Sequence, residues 1–293
     1  MTFEVCAPQP TDPRGARAGS APASRAPTTT SPRRAGVDVA AVVRASRRLA
    51  AAVLPSGLRE RMRAILGRPH APRPGAVSFG DLRRVSPIGR KWGKDRGGLP
   101  IDRHYIERFL AAHAADVRGR VLEVGDNRYT MKYGAGAVER SDVLHVHAGA
   151  PGATIVDDLV VGSRLPTESF DCVILTQVVH LIADPASAMR TAYRILKPGG
   201  VLLVSLAGIS QISTWDMERW GDYWRFTTRA AEHLATNACP GADVVADAHG
   251  NVLAAICFLH GLAANELDPA ELAHRDAEFQ LVVTIRVTKP QAP

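Results

Sequence analysis

Between residues 119 and 288, short apolar runs of strand length alternate with longer amphipathic stretches. Val121-Leu-Glu-Val-Gly-Asp126 ends its apolar run in an acidic-Gly turn. Phe170-Asp-Cys-Val-Ile-Leu-Thr-Gln177 ends in a polar turn, and Ile195-Leu-Lys-Pro-Gly-Gly-Val-Leu-Leu-Val-Ser205 starts its run after a Pro-Gly-Gly reversal. Consecutive strands of a parallel sheet covered on both faces read this way, because their side chains are buried on both sides. The pattern predicts strands at 119–124, 142–147, 153–157, 170–176, 200–206, 243–249 and 280–287. Helices are predicted at 128–139, 184–196, 228–237 and 251–264. Strand-helix alternation of this kind predicts an α/β fold, a doubly wound, seven-stranded, mostly parallel sheet with ligand-facing loops at the strands' carboxyl ends.

Three regions follow from the same pattern: a disordered tail over 1–35, a basic helical extension and connector over 36–100, and a catalytic-type domain over 101–293. Residues 1–35 are rich in Pro, Ala, Ser, Thr, Gly and Arg and cannot bury enough surface to offset ordering entropy. In 36–54, Val39, Val42, Val43, Leu49, Ala50 and Val53 fit one helical face. Pro55-Ser-Gly breaks it, and Leu58, Met62, Ile65 and Leu66 form a second, basic helix. Such helices suit peripheral contact with an anionic membrane, docking on a partner, or simple coverage of one side of the domain. Residues 68–100 are Gly/Pro-rich and irregular. A helix follows, with Asp102 near its start and Tyr105, Ile106, Phe109 and Leu110 on its apolar face.

Composition sharpens this picture in four ways. The 293 residues are 46% hydrophobic and 22% charged, enough for one substantial core plus an extension. No run of 18 apolar residues predicts a spanning helix, and no compact apolar stretch near the amino terminus reads as a secretory signal, so a cytoplasmic location is expected. The four cysteines, Cys6, Cys172, Cys239 and Cys257, have no metal-ligand spacing; Cys172 and Cys257 read as buried thiols. The net charge of +7 is uneven: residues 1–100 carry 19 Lys/Arg against six Asp/Glu, whereas the remainder carries 17 against 23. The basic character therefore belongs to the extension. With no Asn/Asp-Pro-Pro-Tyr base-reading motif in the domain, a nucleic-acid partner is disfavoured.

Candidate ligand residues sit where the predicted strands end. Glu123 and Gly125 close the first strand, and glycine lets a ligand approach the backbone. The loop Gly125-Asp126-Asn-Arg-Tyr-Thr130 lacks the G-x-G-x-x-G of dinucleotide binders, which argues for a ligand without a pyrophosphate. In Thr154-Ile-Val-Asp157-Asp158-Leu159, the acids either accept from an exocyclic amine such as that of adenine or cap a turn.

Three of these segments resemble motifs of the class I S-adenosylmethionine-dependent methyltransferases. Val121-Leu-Glu-Val-Gly resembles that family's first motif, Asp171 to Gln177 its fourth-strand motif, and Leu196-Lys-Pro-Gly-Gly-Val-Leu-Leu its approach to strand five. The resemblance covers about 100–288 and implies a Rossmann-like methyltransferase fold with S-adenosyl-L-methionine as cofactor. It implies donor contacts from Glu123, Gly125, Asp126, Asp157, Asp158, Leu159, Thr176 and Gln177. The family's acid at the end of strand two is missing; His145-Val-His147 occupies that region, where His147 either accepts from a ribose hydroxyl or is an ordinary packing histidine. A further resemblance, to bacterial methyltransferases associated with glycosyltransferases, rests on Arg96-Gly-Gly-Leu-Pro-Ile-Asp102-Arg103, Gly208-Ile-Ser-Gln211-Ile-Ser213, Trp220-Gly-Asp-Tyr223-Trp224-Arg225-Phe-Thr227 and Gly250-Asn-Val-Leu-Ala-Ala255. It implies a sugar or glycoconjugate acceptor and a glycosyltransferase partner.

Methyl transfer to a hydroxyl needs an aligned nucleophile and a route for its proton. His180, four residues past the fourth strand, is the candidate base; its alternative role is to support the loop. Trp220, Tyr223 and Trp224 either stack on an acceptor or pack the segment after strand five onto the core. Arg225 and Asp222 either bind the acceptor or pair with each other, and Asp102 and Arg103 carry the same ambiguity. The leading reading is O-methylation of a sugar or glycoconjugate, metal-independent. The alternatives are methylation of another small metabolite and a non-catalytic adaptor for a glycosyltransferase.

Overall fold

The structure, a computed structural model, describes residue 72 and residues 76–291. The expected tail and the two basic helices over 36–66 lie outside the described residues. The described residues from Ser78 onward form one compact unit, within which everything below falls.

Seven strands form a single sheet: β1 (Gly119–Val124), β2 (Val138–His145), β3 (Ile155–Val156), β4 (Phe170–Thr176), β5 (Leu196–Ala207), β6 (Asp243–His249) and β7 (Val282–Thr288). Their order is β3-β2-β1-β4-β5-β7-β6, with only β7 antiparallel to its neighbours. The order reverses between β1 and β4, so the crevice of the fold opens beyond the carboxyl ends of those two strands.

The central strands alternate between two cores because successive side chains point to opposite faces. Leu122, Val173, Leu175, Leu202 and Val204 face α3 (Pro185–Ile195) and α5 (Thr228–Ala238). Val121, Cys172, Ile174, Val201 and Leu203 face α1 (Ile101–Ala112) and α6 (Val252–Leu259). Three helices remain: α2 (Arg128–Tyr133), α4 (Thr214–Arg219) and α7 (Pro269–Ala273). Local chemistry fixes several starts. The Asp184 side chain accepts from Ser187 N with Pro185 in the first turn, Thr227 accepts from Ala230 N, and Asn251 accepts from Ala254 N.

Several boundaries depart from the sequence expectation; β5 starts at Leu196 rather than at 200, and β3 is only the two residues Ile155–Val156. The helix predicted over 128–139 stops at Tyr133, and the chain leaves the helical conformation where Ala135 and Gly136 take positive φ. β2 consequently starts at Val138, four residues early, where it pairs with the start of β1. The helix predicted over 251–264 ends at Leu259, since Gly261 packs on Gly89 and Ala263 bridges Pro100. That packing, with Gly89 N donating to His260 O at 2.9 Å and Arg96 paired with Glu266, ties part of the Gly/Pro-rich connector to the domain. The Cys172, Cys239 and Cys257 thiols are buried and unpaired, and burial pushes the Cys239 thiol up to about 12.

Candidate active site

Two adjoining hollows open beyond the carboxyl ends of β1 to β5, both lined by Leu181. The larger, about 700 Å³, is floored by Val124 and Gly125 after β1 and by Leu144 to His147 from β2. Asp157 to Val160 after β3 form its far side, and Trp215, Arg219, Trp220 and Tyr223 form a wall. The smaller, about 200 Å³, is polar, with Lys94, Asp102, Arg103, Gln177, His180, Gln211, Asp222 and Arg225 around it and Trp92 and Phe258 as apolar patches.

In the larger cleft, Gly125 has φ +87 and nothing within 4 Å of where a Cβ would stand, so a ligand can meet bare backbone there. His147 N donates to His145 Nδ1 at 3.0 Å. Both imidazoles pack on Trp220, with centroids 5.8 Å away for His145 and 5.1 Å for His147. The Asp157 carboxylate is spent within its own loop, accepting from Asp158 N and Arg164 N; Asp158 accepts from Val160 N through Oδ1. Leu159 is buried and contributes apolar surface. The Arg219 guanidinium lies 4.1 Å above the Trp215 ring.

Four residues expected at the donor fall outside this cleft. Glu123 is turned inward and accepts from Tyr129 N, Thr130 N and Thr130 Oγ1 at 3.2, 2.8 and 2.8 Å; burial raises its pKa against those bonds. It anchors α2 beneath the Gly125 turn. Asp126 points away and pairs with Arg128 at 2.6 Å. Thr176 lines neither hollow. Gln177 lines the smaller cavity instead, with φ +56; its N–H donates to Ser205 O at 3.0 Å and to Ser205 Oγ at 3.1 Å.

The smaller cavity gathers buried polar atoms that no neighbour satisfies. Among the described residues, Asp102 Oδ1, His180 Nδ1 and Gln211 Oε1 have no hydrogen-bond partner, and all three residues line it. His180 is 7% exposed, and burial with the Arg225 charge beside it pushes its pKa down to about 4. The ring is therefore neutral at pH 7 and binds a proton weakly, which weakens the expected role as a base. Its carbonyl accepts from Tyr223 N and Trp224 N, so its backbone pins the 208–227 segment. Arg225 is engaged internally, donating to Asp222, Gln211 O and Trp224 O. Its guanidinium and a bond from Ser213 N hold the Asp222 carboxyl below its usual range. Of the expected aromatic contacts, Trp220 and Tyr223 line the larger cleft rather than the polar cavity. Trp224 lines neither; its indole N–H donates to Ile182 O at 3.0 Å and staples the segment down.

Sequence reasoning missed Trp92, Lys94 and Asp216. Trp92 and Lys94 lie in a stretch with no periodicity, where the lone tryptophan among charges was the only signal. The larger cleft combines an open glycine turn, apolar and aromatic walls, and acids beyond β3.

Residues 122–204 match the family model described as Methyltransferase domain. The chain is 32% identical over 103 residues to the ubiquinone/menaquinone biosynthesis C-methyltransferase of Pectobacterium carotovorum, covering 34% of this chain and 35% of the relative. It is 26% identical over 159 residues to the ubiquinone biosynthesis O-methyltransferase of a Caulobacter species, covering 44% and 63%. The chain thus spans about a third of the length of the C-methyltransferase it matches. Among solved structures, the N-methyltransferase NodS of Bradyrhizobium japonicum with S-adenosyl-l-homocysteine is 16% identical with TM-score 0.44, covering 70% of this chain and 95% of that one. A Thermotoga maritima S-adenosylmethionine-dependent methyltransferase is 20% identical with TM-score 0.41, covering 63% and 92%. The stretch matched by the Methyltransferase domain model runs from within β1 into β5, across the point where the strand order reverses.

Proposed function

We propose that the protein transfers a methyl group from S-adenosylmethionine to a hydroxyl of a small polar acceptor of the sugar or glycoconjugate kind. The observation that carries this reading is the polar cavity beside the donor cleft, where His180 Nδ1 and Gln211 Oε1 are buried without partners. Buried acceptor atoms left unpaired cost about 1–3 kcal/mol each, so a ligand bringing hydroxyl donors recovers that penalty. The donor supplies an activated methyl group; the protein's residues hold and orient the hydroxyl. Orientation alone is worth ~7–11 kcal/mol of barrier, and removal of the hydroxyl proton typically adds ~10²–10⁴-fold. His180, neutral at pH 7, accepts a hydrogen bond from the nucleophile, and the hydroxyl proton passes on to solvent as the new C–O bond forms and the donor's C–S bond breaks.

A quinone-like acceptor is the second reading. It is favoured by the Trp92 and Phe258 patches and by the names of the curated relatives. The third, a non-catalytic adaptor for a glycosyltransferase, differs from both in needing no donor.

Calorimetric titration with S-adenosylmethionine and S-adenosylhomocysteine separates the enzyme readings from the adaptor. Labelled methyl transfer to glycosides against a short-chain quinone then separates the first two. On the proposed reading, His180→Ala lowers turnover by about tenfold or more with donor affinity unchanged. Equal turnover would remove His180 from the reaction.

A further inference from the structure

We infer that a third hollow, between α1 and the β6–β7 end of the sheet, is a separate ligand site for a small organic carboxylate with an aromatic or other apolar body. Its lining shares no residue with either hollow of the candidate active site. The inference therefore does not depend on the methyl-transfer reading.

The hollow, about 280 Å³, follows from how the end of the sheet is covered. On one face of β6, Val244 and Ala248 pack into the core beneath α5. On the other face stand Val245, Asp247 and His249, each opposite Arg286, Thr284 or Val282 of β7. No helix lies squarely over this second face, and Val245 is 54% exposed. α1 flanks it with Tyr105, Arg108, Phe109, Ala112 and His113, whose spacing of three and four puts them on one side of the helix. Leu272 and Ala273 of α7 close the hollow from another side.

The floor is apolar and fixed. Tyr105, Phe109 and Leu272 are buried, and the Tyr105 hydroxyl donates to Leu272 O at 3.1 Å. The Tyr105 ring stacks on His249 with centroids 6.0 Å apart, and Phe109 meets His113 at 4.8 Å. Three arginines line the hollow, and two of them are taken. Arg286 donates to both oxygens of Asp116 at 2.8 and 3.0 Å, and Arg275 pairs with Asp247. Arg108 is exposed and, among the described residues, makes neither a hydrogen bond nor an ion pair. Its neighbour in sequence, Glu107, is held by Lys132 at 2.7 Å. Burial lowers the His249 pKa, and Arg275 and Arg108 add to the fall against Asp247. The Arg108 charge thus bears on the aromatic floor with no carboxylate of its own.

An unpaired guanidinium fork beside an aromatic floor matches a carboxylate whose two oxygens meet the fork while its body covers the rings. Inorganic phosphate would leave the floor uncovered, and a neutral ring would leave the fork unpaired.

The test titrates 4-fluorobenzoate, uncharged 4-fluorobenzamide and inorganic phosphate into the full chain, read by calorimetry and, for the fluorinated pair, by fluorine NMR. The wild type should bind 4-fluorobenzoate with a Kd of about 1 mM or tighter, and each of the other two at least about tenfold more weakly. Arg108→Gln should weaken 4-fluorobenzoate by about tenfold, with Arg108→Lys between, because an ammonium keeps the charge and loses the fork. Ala112→Phe, at the exposed end of α1, fills the hollow and should abolish binding while the unfolding temperature stays with the wild type. Equal 4-fluorobenzoate affinity in the wild type, Arg108→Gln and Ala112→Phe places the ligand elsewhere and overturns the site. Equal wild-type affinity for the amide or for phosphate overturns the ligand class. A folded wild type that binds none of the three at about 10 mM overturns the site outright. S-Adenosylhomocysteine titrated alongside reports on the methyl-transfer reading separately.

Discussion

Glu123 illustrates how one residue can serve a site without touching a ligand. Its carboxylate collects two backbone N–H groups and a hydroxyl from the first turns of α2. The turn at Gly125 is thereby fixed between β1 and α2. Glu123→Ala would leave those donors buried and unpaired at about 1–3 kcal/mol each, so a loss of about 2–5 kcal/mol is expected in equilibrium urea unfolding. A change within experimental error would mean water reaches the site and replaces the carboxylate. His180 makes the complementary point. With its pKa near 4, activity between pH 6 and 9 should not follow its ionisation, and an inflection there belongs to another group.

At the scale of elements, the segment between β5 and α5 joins the two hollows. Its short helix α4 buries no residue of its own and begins at Ser213, whose side chain accepts from Asp216 N. The segment is held from outside, by the His180 carbonyl, by the Trp224 indole on Ile182 O and by the Asp222–Arg225 pair. Trp220 then projects onto His145 and His147, at and just after the end of β2, as part of the wall of the larger cleft. Trp220→Ala removes that wall without touching the polar cavity. S-Adenosylhomocysteine affinity should fall by about threefold to tenfold, in line with ~0.5–1.5 kcal/mol for an aromatic contact. Unchanged affinity would mean that the indole only shields the histidines.

At the scale of the molecule, β2 and β3 form the edge of the sheet that frames the larger cleft, and a charge cluster ties them to β1. Asp142, on β2 and 1% exposed, accepts from Arg120 of β1 at 2.7 Å, from Arg140 at 3.1 Å and from Thr154 Oγ1 at 3.0 Å. Burial works against the charge, but these bonds win and depress the Asp142 pKa. A folded-state pKa below the unfolded value contributes stability that is fully present above the unfolded pKa and disappears as pH falls through the folded one. Asp142→Asn should therefore cost on the order of 2 kcal/mol at pH 7, less than the ~3–5 of a fully buried pair because both arginines are partly exposed. The wild type and variant should converge in thermal stability as the pH is lowered toward 2. Parallel curves would assign the acid sensitivity elsewhere.

The sequence by itself determined the core strands. β1 and β4 lie at the residues read from their apolar runs, because a central strand covered on both faces is largely apolar, and that property is local; the half-exposed edge strand β6 also lies at its expected residues. It also determined the fold class and where ligand loops should lie, since strand and helix alternate along the chain. Only the tertiary structure decided what each polar residue does. Whether Glu123, Asp126 and Arg225 face a ligand or a neighbour depends on where other segments stand. His180 acquires its low pKa from burial and from Arg225, 45 residues away in sequence. Asp102 and Arg103 come to line the polar cavity because α1 packs across the sheet through Ile101, Tyr105 and Ile106. Apolar periodicity is written into adjacent positions, whereas hydrogen bonding and charge are settled through space, between residues that only the folded chain brings together.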